Sequence, residues 1–117
     1  MTRDSFIADL KALGHEPAEA GNGFVTFDYE VQVGRFAGRQ IKLGLQLSDM
    51  NPPPGPHINP RLMPFLTQGH PHPDGGIHAS PLGGEWQYWS RPYSNWNLTD
   101  RTGRTYMAHI TRLFDFP

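Results

Sequence analysis

The chain has 117 residues, with 10 basic and 11 acidic side chains, six histidines and no cysteine. A net charge near zero, with both signs scattered, excludes the basic face that nucleic-acid phosphates demand; the missing cysteine excludes a disulfide framework, a thiolate metal site and a thiol nucleophile. The length suits a single domain over 1–117, and with no apolar run long enough for a membrane span or a signal peptide the expected location is the cytoplasm.

Phe6, Ile7, Leu10 and Leu13 recur at helical spacing. They predict a helix over about 5–13, with Asp4 or Ser5 accepting its first free N–H groups and Gly14 placed for a left-handed C-cap. Residues 16–23, with Pro17 and two glycines, read as a connector. The period then changes to two. Phe27, Tyr29, Val31 and Val33 alternate with Asp28, Glu30 and Gln32, which marks a strand with one buried face. A turn over 34–38 leads to Ile41, Leu43, Leu45 and Leu47, alternating with Gln40, Lys42, Gly44 and Gln46 in a strand that returns antiparallel to the first. Pro52-Pro53-Pro54-Gly55-Pro56 cannot continue a ladder, because proline has no N–H to donate, so the chain leaves the sheet extended. Ile58 and residues 62–66 offer a short third strand interrupted by Pro60 and Pro64. Tyr106, Ile110, Leu113 and Phe114 predict a closing helix over about 102–114, capped by Asp100 or Thr102. This order implies an α+β domain: N-terminal helix, antiparallel β-meander, long loop, and C-terminal helix packed on one face of the sheet.

The loop, residues 70–96, reads HPHPDGGIHASPLGGEWQYWSRPYSNW and carries His70, His72, His78 and all three tryptophans. No strong period runs through it. A loop of this length in so small a domain is usually functional or disordered, and Trp86, Tyr88, Trp89, Tyr93 and Trp96 carry too much apolar surface for disorder. An ordered loop is expected. Four histidines, His57, His70, His72 and His78, fall in or beside the loop, and three imidazoles can fill a metal site of the catalytic type; the competing reading, histidines that hydrogen-bond the loop backbone, predicts no cofactor, and if a metal binds, His70, His72 and His78 are its ligands. Trp86, Tyr88 and Trp89 form a candidate partner platform, since aromatics with a polar tip dominate binding hot spots. Trp86 and Tyr88 share one parity and Trp89 the other, so in an extended segment at least one of them faces out. Trp89 and Arg91 are expected to face a partner, the guanidinium reading a carboxylate, while Trp96 holds the loop from below. Ser80, His78 and Asp74 lie too close in sequence to make a persuasive hydrolytic triad, and no nucleophile elbow surrounds them.

Taken together, the helix, the meander, Pro52-Pro53-Pro54-Gly55-Pro56, the pair His70-Pro71 and the Trp96 segment before the closing helix resemble the ubiquitin-conjugating-enzyme (UBC) fold over nearly the whole chain. The run Gly84-Glu85-Trp86-Gln87-Tyr88-Trp89-Ser90-Arg91 followed by Trp96 resembles a bacterial branch, the prokaryotic ubiquitin-conjugating-enzyme-like family E. The resemblance implies an architecture of that type and, as partners, a ubiquitin-like protein or an activating-enzyme-like protein. It also aligns His70 and His72 with the family's His-Pro-Asn motif and His78 with its catalytic cysteine, which makes these three the candidate catalytic positions. Imidazole cannot carry a thioester, and a serine such as Ser80 would form a more stable oxyester. The function expected from this set is therefore a thiol-free binding or adaptor component of a bacterial ubiquitin-like modification system; the alternative is a small histidine-based enzyme on the same fold, with or without a metal.

Overall fold

The structure, a computed structural model, describes residues 2–50, 52–65 and 75–117. Helix α1 (Arg3–Ala12) begins two residues before the predicted start because Thr2 caps it: its side chain accepts from the Ser5 backbone N–H, and the Thr2 N–H donates to the Ser5 hydroxyl. Gly14 follows with φ of 93°, the left-handed conformation expected of it. Helix α2 (Gly103–Leu113) is capped by Thr102, and Asp100 accepts from the Thr102 and Thr105 hydroxyls just ahead of it. These two bonds hold the Asp100 carboxyl below its usual range.

Six strands, β1 (Ala18–Glu19), β2 (Phe24–Glu30), β3 (Gln40–Gln46), β4 (His57–Asn59), β5 (Ile77–Ser80) and β6 (Gly83–Trp89), form one antiparallel sheet in the order β1-β2-β3-β4-β6-β5. β1 lies within what the sequence presents as a connector. The predicted third strand is β4, confined to the residues around Ile58; no strand forms at 62–65, and Leu66 lies outside the described residues.

Register decides which side chains are buried. Tyr29 lies opposite Ile41, Phe27 opposite Leu43, Leu43 opposite Ile58, Ile58 opposite Gln87, and Trp89 opposite Ile77. This inner face packs on Phe6 and Leu10 of α1 and on Tyr106, Met107, Ile110 and Leu113 of α2, so both helices share one side of the sheet. Phe6 and Tyr106 meet edge to face at 5.4 Å, and Tyr29 stacks on Phe114 at 6.1 Å. Each large side chain withdrawn here contributes about 1.5–3 kcal/mol. Trp96 is 2% exposed and packs on Tyr106, in the holding position expected of it.

The expectation of an irregular loop over 70–96 is corrected for its described part: β5 and β6 form a hairpin within it. The sheet therefore runs on for two more strands. No helix among the described residues is long and apolar enough to cross a membrane.

Candidate functional site

Opposite the helices, the same register lines up an outer row: Thr26, Gly44, His57, Tyr88 and His78 follow one another across five strands. His57 stacks on Tyr88 with ring centroids 4.6 Å apart and meets Phe24 edge to face at 4.9 Å; His78 lies 6.1 Å from Tyr88 on its other side. The hairpin curls back over this face. A Cβ at Gly44 would come within 2.5 Å of the Leu82 Cδ1 and 3.2 Å of the Trp86 Cζ3, so the missing side chain is what lets Leu82 and Trp86 lie over β3. Trp86, Tyr88, His78 and Ser80 are each left half-exposed.

A register irregularity between Ala79 and Ser80 re-aims the serine. Its hydroxyl lies 2.7 Å from the His57 Nδ1 and accepts from the Leu82 backbone N–H at 3.1 Å. His57 is only 5% exposed, and burial lowers its pKa to about 4, because an imidazolium there would lose its hydration. The ring is therefore neutral at pH 7, with Nδ1 able to accept the serine proton.

Of the residues expected at the site, His78, Trp86 and Tyr88 come together on this face. His70, His72 and Asp74 lie outside the described residues, and among the described residues no group of three or more histidine, aspartate or glutamate side chains could hold a metal ion. Trp89 is a correction. It is 0% exposed, packs on Phe114 at 5.1 Å, and its indole N–H donates to the Gln87 Oε1 at 2.9 Å, so it belongs to the core and not to a partner surface. Arg91 is corrected too: its guanidinium is half-buried, donates to the Gly75 and Ser90 carbonyls, and is held below its ordinary pKa by that burial. It braces the chain ahead of β5 rather than reaching outward.

One residue, Gln87, escapes the sequence reading, and His57, counted there among the loop histidines, takes a role not expected of it. Buried Gln87 accepts from the Leu62 and Met63 N–H groups and donates to the Met63 carbonyl, tying the segment after β4 to β6. A polar residue between aromatics reads as the exposed position of a strand, and only the parity shared with Trp89 points the other way. His57 follows the proline run and precedes Ile58, so period two does place it opposite the buried face; nothing in the sequence signals its pairing with Ser80, 23 residues on.

No protein-family model matches the chain, and no curated protein or solved structure matches it either.

Proposed function

We propose that the chain is a thiol-free, conjugating-enzyme-like adaptor of a bacterial ubiquitin-like modification system, working in the cytoplasm and binding a ubiquitin-like protein or its activating enzyme. The observation that carries this reading is the half-exposed row of Trp86, Tyr88 and His78 on the sheet face opposite the helices, in a chain without cysteine. Aromatics held at fixed positions by a sheet make low-entropy contacts of the kind that dominate hot spots. The sequence resemblance supports the partner class, and the element order of helix, antiparallel meander, proline-rich exit and closing helix agrees with it. By that resemblance His78 stands where the family carries its thiol, so the protein receives no thioester. Incubated with ATP, an activating enzyme and its ubiquitin-like protein, it forms a non-covalent complex and no adduct that a reducing agent cleaves. Such an adduct, or the absence of any complex, overturns the reading.

The 2.7 Å contact between Ser80 and His57 favours a second reading, a small histidine-based enzyme in which His57 takes the proton of an attacking Ser80. Labelling by a fluorophosphonate that disappears in Ser80→Ala would establish it; an unlabelled wild type removes it. Stoichiometric metal in protein purified without a histidine tag would favour the metal-dependent form of the same reading, with His70, His72 and His78 as ligands.

A further inference from the structure

Independently of that reading, we infer that the groove between the free edge of β2 and helix α2 binds an extended peptide ending in a free carboxylate, which adds to the sheet as a strand antiparallel to β2. The edge is defined by hydrogen-bond parity. Val31 donates to the Arg39 carbonyl on the β3 side, whereas the Phe24 carbonyl accepts from Ala20 on the β1 side; with two-residue periodicity, the N–H and C=O of Asp28 and Glu30 therefore point away from β3. β1 pairs only with Val25 and Thr26 and does not reach them. The Glu30 carbonyl is occupied by the Gln32 side chain. Both Asp28 groups and the Glu30 N–H have no backbone partner among the described residues and are directed into the groove, as in domains that bind peptides by strand addition.

The groove encloses about 480 Å³. Leu13, Tyr29, Met107 and Ala108 line its apolar part, and Leu13 is 42% exposed, a large apolar side chain left without cover. Ala108 leaves room beside the strand edge. The Asp28 and Glu30 carboxylates are engaged by Lys42 at 2.9 Å and Gln40 at 2.6 Å, which partly offsets the charge they would present to an incoming acidic group.

Direction follows from the neighbours. An added antiparallel strand runs in line with β1 and toward it, from the Glu30 end to the end where His15 packs on Phe27 at 4.9 Å. Thr111, bonded to the Tyr29 hydroxyl, marks the entrance, and Arg104 marks the far end beside Leu13. The distance from Arg104 to Thr111 along the helix, about 10 Å, matches three strand residues. Arg104 is exposed and forms no ion pair among the described residues. Two carboxylates beside it are already hydrogen-bonded: Asp9 accepts from the Gly103 N–H at 2.8 Å and Asp100 from Thr102 and Thr105. A peptide C-terminus is the anion that both the strand edge and this cation would accept.

Main-chain pairing tolerates sequence, so an N-acetylated hexapeptide of alternating valine and threonine serves as the probe, with its C-terminal amide as control. Added to the isotope-labelled protein, the free acid should shift the Asp28 and Glu30 amide resonances. Its affinity should fall about tenfold for the amide form and for Arg104→Ala, and recover in part for Arg104→Lys. Ala108→Trp, at an exposed position, should abolish binding with the melting temperature unchanged. The inference is overturned by no shift at millimolar peptide, by shifts confined to the β5 edge, by equal binding of acid and amide, or by concentration-dependent dimerisation through Asp28 and Glu30 in the absence of peptide.

Discussion

Replacing Trp89 by alanine is the most informative single perturbation, because β6 sets one tryptophan inward and one outward three residues apart. Trp89 is fully buried, lies 5.1 Å from Phe114 and 6.3 Å from Phe116, and donates to Gln87. Removing it leaves a cavity the size of an indole under the closing helix, and buried Trp→Ala changes cost about 3–5 kcal/mol. The Gln87 Oε1 keeps its two backbone donors, so little is added for an unsatisfied acceptor. Trp86→Ala removes a half-exposed ring that lies over Gly44 and leaves no closed cavity, so its cost should stay near 1 kcal/mol. Urea denaturation followed by circular dichroism reads both as midpoint shifts at constant slope. At roughly 4–8 °C per kcal/mol for a domain near this size, Trp89→Ala lowers the melting temperature by more than about 12 °C. Equal losses for the two variants, or a larger loss for Trp86→Ala, would show that the two faces of β6 are assigned the wrong way round.

Three further expectations concern the site and its support. His57 has its folded-state pKa lowered from 6.5 to about 4, so the unfolded chain binds the extra proton between those values and stability rises with pH across that window. At about 1.4 kcal/mol per pH unit, roughly 3 kcal/mol present at pH 7 is lost on acidification from pH 6.5 to 4; His15 and His109, also lowered by burial, act in the same direction. Denaturation at a series of pH values should show a shallower dependence in His57→Phe, and a His57 ring titrating near 6.5 by NMR would contradict the burial. Gly44→Ala places a methyl against Leu82 and Trp86; the loss should be about 1 kcal/mol, with tryptophan fluorescence shifted to the red as Trp86 moves toward water. Arg91→Ala removes the brace on Gly75 and should cost about 1–3 kcal/mol while leaving partner affinity of the folded protein unchanged; weakened binding at unchanged stability would restore it to the partner surface.

Some of this architecture is legible in the sequence, and the exceptions have physical causes. β2 and β3 announce themselves because one face is buried under helices and the other is wet, so apolar and polar residues alternate. β5 and β6 do not. β5 has four residues with Ile77 its only large aliphatic side chain, β6 opens on two glycines, and its aromatic residues lie on both faces because the hairpin half-covers the outer one. Parity correctly separated Trp86 and Tyr88 from Trp89, but it fixes only which residues share a face; the side that packs on the helices is set by pairing with Ile58 and Ile77, across chain separations that no local pattern encodes. The two-residue β1 carries no periodic signal at all. Likewise residue type alone points to His57, His78, Trp86 and Tyr88, while the contacts of His57 with Tyr88 and Ser80 depend on pairing across β6 and β5.

Titrating the isotope-labelled protein with a bacterial ubiquitin-like protein, while following the Trp86 indole and the amides of the outer row, tests the proposed partner surface most directly. Saturable shifts should map to Trp86, Tyr88 and His78 and spare the inner-face amides of β2 and β3. Tyr88→Ala should weaken the complex at least about tenfold while the stability lost with its stacking on His57 stays at about 1 kcal/mol. Shifts that cluster on α1 and α2 instead, or an affinity indifferent to both Trp86→Ala and Tyr88→Ala, would contradict the account.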